Sequence, residues 1–204
     1  NEIDNQLIMD YAEGYKDFMR GSMTERGIVE SLEKTALENG LVDLLKVDKL
    51  KAGQSFYFNH RGKSFFMGTV NEDLKRGLKL IGAHIDAPRL DLKQQPLYEE
   101  EGMALFKTHY YGGIKKYQWV TMPLCLEGVV YRKDGTRLNL SIGRGANDPV
   151  FTITDLLPHL AQEQMQKTGG KIIEGEKLNV LIGSIPLVEG DKDPSVKKAI
   201  LGLL

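Results

Sequence analysis

Leu78-Lys79-Leu80-Ile81-Gly82-Ala83-His84-Ile85-Asp86-Ala87-Pro88-Arg89 is the stretch whose reading decides the fold. Its first six residues form a mostly apolar run, which predicts a strand largely buried in a sheet. The run ends on His-x-Asp, at the carboxyl end of the strand, where open α/β sheets expose their ligand sites. Alternation along an extended chain puts residues 84 and 86 on one side. The carboxylate then sits where it can steer the imidazole, or an ion bound to it, because a metal-bound histidine usually donates its other ring N–H to such a partner. Zinc held in this way lowers the pKa of a bound water to about 7. Taken alone, the pair is a weak signal, since one histidine in a strand is more often a satisfied structural residue than a ligand. Zinc needs three or more protein ligands, and no companions stand at short spacing.

Upstream, the period is helical. Leu7, Ile8, Tyr11, Ala12, Tyr15, Phe18 and Met19 line one face of a helix over 3–20 that Gly21-Ser22 ends. Thr24 can cap a second helix that stops at Asn39-Gly40 and buries Ile28, Val29, Leu32, Ala36 and Leu37. The usual role of both stripes is core packing. From residue 54 the period changes: Ser55–Phe58 and Ser64–Met67 are aromatic-rich strands joined by a turn over 59–63. A polar loop over 71–77 then leads into the decisive run.

Downstream of Pro96 come short strand-like runs, glycine pairs and a hairpin, 128–131 against 137–140 around Lys133-Asp134-Gly135. Thr154-Asp155 can cap a helix to about Lys167, closed by Gly169-Gly170. Leu178 to Ile182 reads as a further buried strand, and Asp193-Pro194-Ser195 as the start of a last helix running through Leu201. The expected class is α/β: a mixed sheet with flanking helices, interrupted by a β-rich insert. Residues 1–94 and 189–204 are assigned to one domain and 95–188 to the insert.

With 27 Lys+Arg against 28 Asp+Glu, the chain lacks the electrostatic footprint of a nucleic-acid binder. Its apolar runs are too short and interrupted to span a bilayer, and no basic start precedes an apolar stretch as in a signal peptide. One cysteine, Cys125, excludes an internal disulfide and a cysteine zinc cluster. A reducing, cytoplasmic setting is expected, in which the sequon at Asn139 is silent.

The wider segment from Leu80 to Lys93 resembles the first catalytic signature of the M18 (aspartyl aminopeptidase) family of zinc aminopeptidases. It is followed, in that family's order, by Pro96-Leu97-Tyr98-Glu99, Tyr110-Tyr111-Gly112-Gly113, a stretch around Trp119, and Leu157-Pro158-His159-Leu160-Ala161. The resemblance covers nearly the whole chain. It implies a zinc exopeptidase-like fold carrying an inserted dimerisation domain, and a metalloaminopeptidase that hydrolyses peptides at their N-terminus with two zinc ions, cobalt or manganese being alternatives. His84 matches the first zinc ligand and Asp86 the catalytic aspartate that tunes the metal-bound group. His159 matches a histidine that contacts substrate in a neighbouring subunit's active site. Dimers assembling to a dodecamer are implied, with Tyr98, Tyr110, Tyr111, Tyr117 and Trp119 suiting an interface.

The family's remaining ligands, including a bridging aspartate and a Glu-Glu pair, lie after the insert, beyond Leu204. The chain is thus expected to be an N-terminal portion, inactive alone. The alternative is a non-catalytic oligomerisation module. Val120-Thr121-Met122-Pro123 departs from the family's usual run after the tryptophan and points to a divergent bacterial branch, leaving the preferred N-terminal residue open.

Other motifs read as structural. Glu99-Glu100-Glu101 is expected to be a solvated charge run. Gly143-Arg144-Gly145 lacks the third glycine of a dinucleotide fingerprint, and Gly62-Lys63-Ser64 lacks the glycine of a phosphate loop. Cys125 lies among apolar neighbours that disfavour a thiolate. His60 and His109 are assigned to a turn and a strand end, His109 being near enough to the glycine pair to line a cleft.

Overall fold

The structure, a computed structural model, describes residues 2–71, 77–185 and 195–203. The chain divides into two compact units, 1–87 and 88–204. Each combines helices with a small sheet, so the class is mixed α/β.

In the first unit, α1 (Glu2–Gly21) is followed by α2 (Glu25–Glu38). Thr24 is extended, and its hydroxyl accepts from the Gly27 amide at 3.1 Å, satisfying one of the orphan donors of a helix start. At the other end Gly40 has φ +71° and donates to the Leu37 carbonyl, while Leu41 donates to Ala36. That pair of bonds is a Schellman motif, which needs the left-handed residue that glycine supplies. Helix α2 packs on β2 (Ser55–His60) and β3 (Ser64–Thr69), burying Val29, Ala36 and Tyr57. The order is β1-β2-β3, with β1 (Val42–Asp43) parallel to β2 and β2 antiparallel to β3. Asn59 ties the hairpin down: its amide donates to Glu33 Oε2 at 2.8 Å and its carbonyl oxygen accepts from Gly62 N at 2.8 Å.

Three expectations fail in this unit. The apolar stripe of α1 is not core, since Leu7, Ile8, Tyr11, Tyr15 and Met19 are all exposed, Tyr11 by 80%. Nor is Leu37 buried on α2. The larger correction concerns the decisive run. Residues 77–88 have no strand, and Leu80 and Ile81 are exposed by 79% and 97%. A strand exists only where a neighbour answers its N–H and C=O groups. Among the described residues no strand lies beside this run, so its composition alone does not make it one. Most of the polar loop before it lies outside the described residues.

The second unit is organised by β4 (Arg89–Glu100) and β5 (Met103–Tyr111), joined at Glu101 and Gly102, both with positive φ as a two-residue type I′ hairpin requires. β8 (Val180–Gly183) pairs with β5, giving the order β4-β5-β8. β4 bulges between Leu92 and Leu97, where Gln95 has φ +49°. β6 (Leu126–Tyr131) and β7 (Arg137–Ile142) form the expected hairpin. The core gathers Phe106, Ile153, Ile173, Leu178 and Val180. Thr108, buried beside it, donates its hydroxyl to the Leu178 carbonyl.

Here too the sequence misleads in places. The helix expected from Thr154 shrinks to α3 (Gln162–Met165). Pro158 lacks the N–H that an interior helical position needs, and Asp155 spends its carboxylate on the Leu156 amide (2.8 Å) and Gln164 (2.9 Å). Trp119 packs against the core instead of joining the exposed tyrosines, and Tyr98 is half-buried with Lys107 over its ring. Glu99 is no mere solvated charge: it accepts from the Ser195 hydroxyl and, at 2.9 Å, from the Lys197 amide. It therefore caps α4 (Val196–Leu203), which packs on β4, β5 and β8. Asp193 and Pro194, expected to start that helix, lie outside the described residues.

Leu178→Ala should cost about 2–5 kcal/mol, as buried leucine truncations do, measured from the urea midpoint. The Ser195 hydroxyl, then the Lys197 amide, hold Glu99 below its ordinary value of 4.5. With the folded-state pKa lowered, this cap contributes fully above the ordinary value and fades as pH falls through the folded one. Glu99→Gln should therefore flatten the acid side of the stability–pH curve, and an unchanged curve would contradict the cap.

Candidate metal site

His84 lies in the irregular segment that replaces the expected strand, with its side chain 84% exposed. Its Nδ1 stands 3.0 Å from the Asp86 backbone carbonyl oxygen and 3.1 Å from Asp86 Oδ1. Both neighbours are acceptors, so in the neutral ring Nδ1 carries the proton and donates it. The lone pair is then on Nε2. This is the tautomer a metal ligand needs, with a carboxylate and a carbonyl fixing the far nitrogen. The i, i+2 spacing thus does bring His84 and Asp86 together, although through a bent loop and not through strand alternation.

The donor set goes no further. Among the described residues no group of three or more His, Cys, Asp or Glu side chains could hold a metal ion. A zinc ion needs at least three protein ligands, so His84 and Asp86 fit it as one ligand with its orienting partner and do not complete a site. His159 belongs to the second unit. It is exposed on the turn over 157–161, where the Leu160 amide donates to the Leu157 carbonyl, and not on a helix.

The second unit opens with a tight local arrangement. Arg89 pairs in register with Tyr111, and its guanidinium carbon lies 4.0 Å from the centroid of that ring. Arg89 Nε donates to Asp91 Oδ1 at 2.8 Å. Gly112 has φ +81° and lies against Pro88. Pro88-Arg89 and Tyr111-Gly112, far apart in sequence, are thus neighbours. His109 is exposed on β5 and stacks on Tyr110, their centroids 5.6 Å apart. Cys125 is half-buried between Leu124 and Leu126.

One rejected motif has a definite role that its spacing did not reveal. The amides of Gly143, Arg144 and Gly145 converge on Asp148 Oδ2 at 3.0, 3.0 and 2.9 Å. They form an anion nest filled by the chain's own carboxylate. The Gly145 amide, then that of Gly143, holds the Asp148 carboxyl below its ordinary range.

Comparison with known proteins gives the chain a family. The model of the family described as aminopeptidase I zinc metalloprotease (M18) matches residues 18–204. A probable M18 family aminopeptidase 1 of Clostridium acetobutylicum is 50% identical over 208 residues, covering 98% of this chain and 45% of the relative. The crystal structure of an M18 family aminopeptidase from Thermotoga maritima superposes with a TM-score of 0.90 at 43% identity, covering 97% of this chain and 43% of that one. A yeast mApe1 dodecamer shares the fold at 22% identity, with a TM-score of 0.65 over 85% of this chain and 38% of that one. These matches define a metallopeptidase class. The chain belongs to the M18 family, and it spans less than half the length of the relatives it matches.

The tautomer is directly measurable. Long-range 1H–15N correlations of His84 should show the proton on Nδ1 at neutral pH. A proton on Nε2 would mean that the Asp86 contacts are not formed.

Proposed function

We propose that this chain is the N-terminal part of a metalloaminopeptidase that releases N-terminal residues from peptides. The observation that carries the reading is the His84–Asp86 pair, in which two oxygen acceptors hold the proton on Nδ1 and leave Nε2 exposed as a donor to metal. In the whole protein His84 supplies one ligand to a two-zinc centre, with cobalt or manganese as alternatives. Bound zinc supplies a polarised water and a polarised carbonyl. The part played by this chain is narrower: His84 binds, and Asp86 fixes the ring's tautomer and raises its basicity. Further carboxylate and histidine ligands and the general base come from the rest of the protein. His159 would reach substrate in a neighbouring subunit.

The exposed run over 78–83 supports the same reading. Its composition is that of an interior strand, so strands from the remainder of the protein would flank it in a zinc exopeptidase-like sheet. The catalytic domain then takes residues 1–94 and resumes at 189, around a dimerisation insert of 95–188. The exposed Val130, Tyr131 and Leu138 of the β6–β7 hairpin offer apolar surface for pairing, since an isolated two-stranded hairpin is marginal in water. Dimers assembling to a dodecamer and a cytoplasmic location complete the proposal. Among the described residues no helix is long and apolar enough to cross a membrane.

A second reading, a non-catalytic oligomerisation piece, is favoured by the incomplete donor set. Activity separates the two. The 204-residue chain supplied with zinc should not turn over aminoacyl-nitroanilides, and turnover would contradict its incompleteness. In a protein of the relatives' full length, His84→Ala should empty one metal position and abolish hydrolysis. Full zinc loading with retained turnover would sink the assignment. Asp86→Asn should cost about ten- to hundredfold in metal affinity or activity, the usual effect of losing an orienting carboxylate.

A further inference from the structure

The second unit carries a cleft of about 430 Å³, within the size range of small-ligand sites. Lys116, Lys167 and Lys171 stand on its walls, with Glu174 and the buried Ile173 beside them. Tyr110 lies behind the wall residue Gly175: its Cε1 would be 2.7 Å from a Cβ at that position, so only glycine lets the ring approach. The Lys116 ammonium lies over that ring, 5.7 Å from its centroid.

The charges do not balance. Glu174 is the one acidic wall residue, and it is already answered twice, by Lys167 at 3.2 Å and by Lys177, which is not a wall residue, at 3.5 Å. The Lys167 hydrogen bond, then the Lys177 charge, keep Glu174 ionised below its ordinary range. Lys116 and Lys171 have no carboxylate partner among the described residues. Three ammonium groups against one doubly paired carboxylate leave a positive surplus around this open depression. Lysine ammonium groups are compact point charges of the kind that bind phosphate. The face of Tyr110 is taken by Lys116, which leaves no aromatic platform for an attached base.

We propose that this cleft binds a small phosphate-class dianion, with Lys116 and Lys171 as its charge contacts and Lys167 shared between the ligand and Glu174. The proposal is independent of the metallopeptidase reading, because it uses no residue assigned to the metal or to substrate.

Calorimetric titration of the full chain at fixed ionic strength tests it, with inorganic pyrophosphate in one arm and a phosphoserine peptide in the other. Saturable one-site binding is expected in at least one arm, and the arms separate a free ligand from a peptide-borne one. Lys116→Ala/Lys171→Ala should weaken it by at least about tenfold, the loss of a charge-assisted contact. Lys133→Ala, exposed in the β6–β7 turn, should leave it unchanged. If the double variant melts early, Lys171→Gln at its exposed position should still weaken binding. Failure to saturate in both arms, or equal affinity in wild type and the lysine variants, would overturn the proposal.

Discussion

A strand is a relation between two pieces of backbone, and the residues around His84 are one such piece without the other. Leu78 to Ala83 has the side chains of a sheet interior, yet its amides and carbonyls find no ladder among the described residues. Backbone polar groups without partners must face water, and apolar side chains on the same segment are then carried out with them. Ile81, almost wholly exposed, is the clearest case. The apolar face of α1 differs in cause: the helix pairs its own backbone groups, yet most of its stripe stays exposed because little packs against it among the described residues.

The second unit differs because both members of its strand pairs lie within it. β4 and β5 are joined by a two-residue turn, β6 and β7 by a short one, and each hairpin supplies its own ladder. Its polar closures are short-range or reciprocal: Asp148 fills the nest made by three nearby amides, and Glu99 reaches across to cap the helix that packs on its own strand. Such closures need no outside partner.

This contrast explains what could be read from the sequence. The Thr24 cap, the Asn39-Gly40 stop, the 55–69 hairpin and the 126–142 hairpin were legible because each depends on residues within a few positions of one another. The strand at 78–83, the burial of the α1 stripe and the placing of Trp119 at an interface depended on residues far away, which periodicity does not register. Pro158 was a local signal against the long helix expected after Thr154. Glu99 could not have been found by spacing, since its partners Ser195 and Lys197 are nearly a hundred residues on. The wall lysines of the cleft, at 116, 167 and 171, are likewise joined only by folding.

The candidate site was legible in the same partial way. His-x-Asp is local, and the ring and carboxylate meet even without the strand, because a two-residue spacing lets the loop bend Asp86 back onto Nδ1. Orientation of the ligand therefore does not depend on the sheet. Its direction does, since an exposed imidazole on an irregular segment points nowhere in particular until the backbone beneath it is held. Within a sheet, the alternation of the strand would aim Nε2 and fix its distance from other donors. For the proposed role as a metal ligand, the right tautomer is thus encoded within three residues, whereas the right position would need the backbone beneath the ring to be held.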